Sequence, residues 1–478
     1  MNKKDRIMQK NEIKENIIKP LMNKGYHVYF VGGCVRDEIL GCTPKDYDVV
    51  TDATPDEIHE VFNDRNIIDI NSEAFGIVVL SLFGENVEIA TMREDRECDG
   101  RHTNVTYTKN IRTDALRRDF TINALYMDID DNIIDPLNQG LQDINDGILR
   151  FVGDAIDRCK EDNLRILRAF RFLSCKSDKN GNMLKFINDD EVRRLFNYKW
   201  FFESFIDRVS PERVGMEMTK LFGGSHCVSA VRILYDNLVN TEFASSDAIL
   251  PKELFMLELQ PCHEVHHSDN NLIHSFTVFE SVAKDNLGWI ANVCALCHDL
   301  GKAIVQNEKG IARGHEFESY KIIYEFVRSH WKLTKIDSQR IANICGIHMK
   351  PHHLARTKKP EKIWKFVSEW NGENIKIILS VLKGDCLDVV DIIPSDYDLF
   401  TSFNIDEYSR HRYPCISGHY LMNLVPSDEF FKDGLDYVNK MIAKMRIEKG
   451  YDYNPNEKEF KNLLNTAKNI VLTKRSKG

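Results

Sequence analysis

Two aspartates stand one residue apart, Asp46 and Asp48 in "KDYDVV", 13 residues beyond the second glycine of "YFVGGCVRDEILG". On a helix they would diverge, whereas on a strand side chains alternate and the two carboxylates share a face. Two negative charges so close are costly unless water or a cation meets them. Gly32 and Gly33 lie between an apolar run and a helix-like one. Glycines there let an anion approach the backbone, and the N–H groups of the following helix face it. Arg36, one turn further, is placed to reach a phosphate. A phosphate cradle beside paired oxygen ligands suits Mg²⁺ and nucleotidyl or phosphoryl transfer. Solvated aspartates at a strand end are the plainer reading of the same spacing.

Three further segments carry chemistry. "RRDFTINAL" reads as a helix on which Asp119 and Asn123 share a face and could hold a ribose and triphosphate, with Arg117 and Arg118 beside them. Glu88, in "NVEIATMR", is a candidate third carboxylate on a neighbouring strand. In "EDNLRILRAFRF" Asp162 and Arg165 fall on one helical face. Asp accepts and Arg donates hydrogen bonds. Cytosine and adenine both present an amino donor beside a ring acceptor, so one Asp–Arg pair can read both. Uracil and guanine present the reverse and leave buried polar groups mismatched. Arg168 and Arg171 continue the stripe toward phosphates. An ordinary surface ion pair between Asp162 and Arg165 is the competing reading.

The second half concentrates His274, His298, Asp299, His315, His348 and Asp385. His298 and Asp299 are adjacent and converge on one cation only at a helix end. Cys294, Cys297 and His298 also fit the haem-attachment spacing C-x-x-C-H, but "WIANVCALCHDL" reads as a buried helix and His298 is already paired with Asp299. His263, His266 and His267 are expected on a surface or loop.

These residues need a frame. From 26 to about 135, short β-rich runs alternate with helical pieces, among them "TPDEIHEVF" with Thr54 as cap and Pro55 at the first helical position. From 155 the pattern is helical, "SDKNGN" marks a loop, and the tail from 401 reads as mixed, ending in a basic, frayed "TKRSKG". The expected class is α+β and multidomain: a head with a small mixed sheet at 1–150, a helical neck and body at 151–260, a helical domain at 261–400 and a tail at 401–478.

Taken in order, the first segments resemble class II CCA-adding enzymes, the tRNA nucleotidyltransferases, and the related bacterial poly(A) polymerases. The likeness covers roughly residues 26–225. It implies that Asp46 and Asp48 hold catalytic Mg²⁺, that Arg118, Asp119 and Asn123 bind the ribose, and that Glu161, Asp162 and Arg165 select the base. It also implies that "REDRECDGRH", with Asp99, Gly100 and Arg101, is the flexible loop required for the final A. "FGIVVL" is closer to the CCA branch, although Phe75 replaces the usual His, and the insertion "KSDKNGN" departs from the pattern. "IHS", "ALCHDLGK" and "GHE" resemble the HD phosphohydrolases, which implies a divalent metal on His274, His298, Asp299 and Asp385. His315 and His348 match the place of a second metal. The implied activity is addition of C, C and A to a tRNA 3′ end from CTP and ATP, with an HD-domain phosphatase or 2′,3′-cyclic phosphodiesterase beside it. The alternatives are an A-adding or poly(A) polymerase, or an HD phosphohydrolase whose head binds RNA.

Length and composition agree with these expectations. The chain has 478 residues, enough for several domains, and a net charge of −9 that gives no global nucleic-acid signature. No apolar run approaches the roughly 20 residues of a membrane span. The polar N-terminus lacks an apolar signal core, and the cysteines are scattered, so the cytoplasm and reduced thiols are expected.

Overall fold

The computed structural model describes residues 10–63, 67–68, 76–82, 85–96, 104–262, 269–306, 311–370, 372–387, 395–403, 405–414 and 431–475. Two compact units form, one of residues 1–250 with 329–332 and the other of 251–328 with 333–478.

The first unit is built on a seven-stranded mixed sheet in the order β3 (Ile67–Ile68), β4 (Ile77–Leu82), β5 (Glu85–Thr91), β2 (Val49–Thr51), β1 (Val28–Val31), β8 (Tyr126–Met127), β9 (Ile133–Ile134), while β6 (Arg93–Arg96) and β7 (Asn104–Tyr107) pair apart from it. Its centre is β1 (Val28–Val31), β2 (Val49–Thr51) and β5 (Glu85–Thr91). β1 pairs antiparallel with β2, and β2 pairs parallel with β5, with Val49 opposite Ile89. β4 (Ile77–Leu82) pairs antiparallel with β5, and β8 (Tyr126–Met127) antiparallel with β1. Both faces of the sheet are apolar and fully buried at its centre, Phe30 and Ile89 on one and Val50 and Tyr126 on the other. The helix Pro55–Val61 opens at the expected Thr54 cap, which forms a capping box with Glu57.

Two helical expectations need correction. Residues 117–125 do not form one helix: the helix Ile111–Leu116 stops at Arg117 and only a short 3₁₀ turn, Thr121–Asn123, follows. Nor does one helix run through 161–172. Ala155–Glu161 ends at Asp162, whose extended backbone (φ −150°, ψ 105°) breaks the run, and a second helix spans Arg165–Cys175. Asp162 favours the break because its Oδ1 accepts the Leu164 N–H at 3.1 Å, a local bond that competes with the helix. Further on, Pro211–Phe222 begins with Ser210 capping the Arg213 N–H.

Among the described residues the regular elements of the second unit are helices, with one isolated bridge between Pro261 and Asn270. Asn271–Lys284, Trp289–Cys297, Lys335–Ile347, Met349–Thr357 and Gly372–Leu387 enclose its core. The mixed tail is also corrected. Asp396–Thr401, Ile405–Arg410, Phe431–Lys449 and Glu457–Arg475 are helices, the last two packed through Val438, Ile442, Leu463 and Ala467. The apolar spacing in those stretches is helical, and the basic end is carried on a helix as far as Arg475. Among the described residues no helix is long and apolar enough to cross a membrane.

Candidate nucleotidyl-transfer site

Gly32 leaves β1 with φ +79°, a conformation that suits glycine, and its neighbour begins the helix Gly33–Ile39. A Cβ at Gly32 would stand 3.6 Å from an Arg118 nitrogen. Asp46 and Asp48 lie just before β2, not within it as the alternation suggested, and the Asp48 carbonyl accepts the Val31 N–H at 3.1 Å. The residue between them, Tyr47, turns inward against Phe30, so both carboxylates face out together. The parallel register sets Asp48 beside Glu88, on the exposed side of β5. Three carboxylates thus share one face next to the Gly-Gly turn. Desolvation, then the charges of Asp46 and Glu88, push the Asp48 carboxyl up to about 6, with Arg118 pulling the other way. Crowded like charges of this kind are what a hard divalent cation relieves, so the donor set fits Mg²⁺.

Arg118 lies over the Tyr126 ring and is held by Asp114 at 3.0 Å. Asp114 is fully buried and also binds Arg117 at 2.8 Å and the Tyr126 hydroxyl at 2.7 Å. Burial would raise its carboxyl, but Arg118, Arg117 and Tyr126 together hold it down at about 2. Sequence reasoning passed over Asp114, although it sits three and four residues before two arginines on a helix.

Asp119 and Asn123 do meet, by way of the bend: the Asn123 amide donates to Asp119 at 3.0 Å. Asp119 is further gripped by both donors of the Arg168 fork. Burial is outweighed there by Arg168 and Asn123, which lower its carboxyl. Arg168 is therefore tied to the ribose-candidate carboxylate instead of standing free for a phosphate. Arg36 is similar. It is buried over the Phe172 ring at 5.3 Å, donates to Asn123 and to Asp37, and so braces Asn123. Lys176 binds Asp37 at 3.0 Å, which anchors that brace to the end of the following helix.

Glu161 is consumed by Arg158 and Arg165. Arg165 also donates to the Arg117 carbonyl at 3.0 Å. Asp162 does not pair with Arg165. Its partner is Arg213, at 2.7 Å, and Arg171 pairs with Glu217 at 2.9 Å. The simple ion-pair reading of Asp162 with Arg165 thus fails, and the two flank one helix break with unspent hydrogen-bonding capacity. Asp99, Gly100 and Arg101 lie outside the described residues, as do Phe75, His263, His266 and His267.

In the second unit the histidines converge. His298, His315 and His348 each turn Nδ1 to a carbonyl three residues back, those of Ala295, Ala312 and Cys345, at 2.7 to 2.8 Å. That leaves every Nε2 facing one buried point. Asp299 sits there: Oδ2 lies 3.2 Å from His298 Nε2 and 3.4 Å from His274 Nε2, and Oδ1 lies 2.9 Å from His315 Nε2 and 3.4 Å from His348 Nε2. His274 Nε2 is 3.0 Å from Asp385. Donors on adjacent corners around a cation with bonds of about 2.1 Å stand about 3 Å apart, so these spacings fit metal coordination. Two overlapping donor groups form, His274–His298–Asp299 and Asp299–His315–His348. Neither His298 Nε2 nor Asp299 Oδ1 has a well-directed hydrogen bond.

Three supports here escaped the sequence reading. Lys302 binds Asp299 at 2.6 Å, and His352 bridges Asp385 at 2.7 Å to Asp396 at 3.0 Å. Burial opposes the charge on Asp299, but His298, Lys302 and His315 hold its carboxyl well below the ordinary range. Burial likewise opposes protonation of His352, yet its two carboxylates raise it well above the usual histidine value. The four-residue spacing of His348 and His352 was the available signal.

The mixed sheet, the positive-φ Gly-Gly turn and three clustered carboxylates define the class of nucleotidyltransferase head domains. Residues 28–150 match the poly A polymerase head domain family. The chain is 39% identical over 225 residues to a CCA-adding enzyme of Oceanobacillus iheyensis, which covers 46% of this chain and 52% of that one. It is 35% identical over 226 residues to the human mitochondrial CCA tRNA nucleotidyltransferase 1, covering 46% and 50%. It is 31% identical over 231 residues to poly(A) polymerase I of Haemophilus influenzae, covering 46% and 48%. The chain spans about half the length of the curated relatives it matches. Its fold is similar over 97% of the chain to the Bacillus stearothermophilus CCA-adding enzyme in complex with CTP, with a TM-score of 0.63, 23% identity and 98% of that chain covered. A Thermotoga maritima CCA-adding enzyme complexed with tRNA_CCA aligns over 98% of this chain and 96% of its own, with a TM-score of 0.59 and 18% identity. The first half of the chain is thus similar to class II CCA-adding enzymes and bacterial poly(A) polymerases, and the whole chain shares an α+β multidomain fold with solved CCA-adding enzymes.

Proposed function

We propose that this chain adds C, C and A to the 3′ end of tRNA from CTP and ATP and releases pyrophosphate. The observation that carries the reading is the set of Asp46, Asp48 and Glu88 on one face beside the Gly32 turn. Those carboxylates would hold Mg²⁺, which neutralises phosphate charge and makes the attacking hydroxyl more acidic. The N–H groups at the Gly33–Ile39 helix start receive the triphosphate, and Arg118 adds a fixed positive charge near them. Asp119 and Asn123 accept the ribose hydroxyls. Asp162 and Arg165 present an acceptor and a donor to the base edge. The head is assigned to 1–150, the neck and body to 151–260, an HD domain to 261–400 and a tail to 401–478. Basic helices of the neck and tail bind the acceptor arm through its backbone, so binding is salt-sensitive and sequence-tolerant. The working compartment is the cytoplasm.

The test is extension of tRNA lacking its CCA end, one nucleotide at a time. Incorporation of CTP twice and then ATP once is expected. Incorporation of ATP alone would replace this reading with that of an A-adding or poly(A) polymerase. A second activity is favoured by the buried His–Asp cluster: a divalent-metal phosphohydrolase acting on 2′,3′-cyclic or terminal phosphates, carried by His274, His298, Asp299 and Asp385 with His315 and His348. Its divalent metal is the one that restores phosphate release after chelation.

A further inference from the structure

The Asp162 carboxylate is fixed from two sides. Its Oδ1 accepts the Leu164 N–H at 3.1 Å, and its Oδ2 accepts from Arg213 at 2.7 Å. Its neighbour Glu161 is spent on Arg158 and Arg165, so Asp162 is the carboxylate at this break that Arg165 does not claim. Arg213 belongs to a different element, the helix Pro211–Phe222. Four residues on, the same helix presents Glu217 to Arg171 at 2.9 Å. One helix thus grips both the break and the helix after it, with a cation on Asp162 and an anion on Arg171. Base discrimination by hydrogen bonding depends on the direction of the acceptor's lone pairs as much as on its presence. A carboxylate at an irregular break has free torsions unless something holds it.

We propose that Arg213 is a positioning residue for base selection: its guanidinium orients Asp162 so that the remaining lone pairs face the amino group of cytosine or adenine. This rests on the reading of Asp162 as a base-reading group. Arg213 itself need not touch the nucleotide.

The experiment measures kcat/KM for CTP, ATP and UTP addition to end-trimmed tRNA with the full chain, Arg213→Ala, Arg213→Lys, Asp162→Ala and the double variant. Arg213→Ala is expected to lower the CTP-to-UTP ratio tenfold or more, about 1.4 kcal/mol. Arg213→Lys restores part of that ratio, because it returns a cation without the planar fork. Adding Arg213→Ala to Asp162→Ala changes the ratio no further, as expected of groups acting as one unit. A drop for all three nucleotides alike, with the ratio kept, would mark Arg213 as merely structural and overturn the proposal. So would multiplying effects in the double variant. If Asp162→Ala leaves the ratio untouched, the base-selection reading fails. If it abolishes selection while Arg213→Ala does not, only the positioning role fails.

Discussion

Replacing Asp114 by Asn removes the buried carboxylate that ion-pairs with Arg117 and with Arg118, the latter beside the Gly32 turn. The carboxylate is buried with no exposure, so solvent screens little of the loss. Its folded value of about 2 lies below the ordinary 3.8. At about 1.36 kcal/mol per unit, this difference is worth about 2 to 3 kcal/mol. A depressed carboxyl stabilises fully above the unfolded value and loses that contribution as pH falls through the folded one. The penalty of Asp114→Asn should therefore be full at neutral pH and shrink as pH drops from about 4 toward about 2. The lost ion pairs with two half-buried guanidiniums add to it, to an upper bound of about 5 kcal/mol at neutral pH. The assay is urea unfolding followed by hydrogen exchange of the β1 and β8 amides, which reports on the first unit alone, with both proteins compared at each pH. A penalty under about 0.5 kcal/mol at neutral pH, or one of equal size at pH 3, would refute the reasoning.

Two other outcomes follow from the same electrostatics. Because Asp48 is raised to about 6, protons compete with the cation, so the Mg²⁺ concentration for half-maximal nucleotide addition should climb as pH falls below about 6. Without Mg²⁺ the sign for stability reverses that of Asp114: a raised carboxyl stabilises the fold as pH drops through its folded value, and the melting temperature in chelator should rise between pH 7 and pH 5. In the second unit, Asp299→Asn removes the carboxylate shared by both donor groups. Mn²⁺ at a hundredfold excess over its Kd should stabilise the parent chain by about 2.7 kcal/mol and the variant by far less, with metal content per chain falling in parallel.

The readable parts of the sequence were those whose physics is local. An apolar run, two glycines and an alternating Asp-Tyr-Asp stretch specify a strand, a turn into a helix and the approach to the next strand, so the outward Asp46–Asp48 pair was legible from local pattern. The capping residues Thr54 and Ser210 were equally local. The break at Asp162 was missed because the apolar spacing continues across it, and a side chain bonded to its own backbone outcompetes that spacing.

By itself the sequence determined the catalytic-type constellations, the α+β head followed by helices, and the family resemblance that ties them together. Tertiary structure alone decided which charge meets which. Arg168 on Asp119, Arg213 on Asp162, and His352 between Asp385 and Asp396 all join residues whose pairing no local pattern announces. The reason is physical: strand and helix periodicities are set within a few residues of backbone, whereas a buried ion finds its partner wherever packing brings an opposite charge close enough to offset the loss of water.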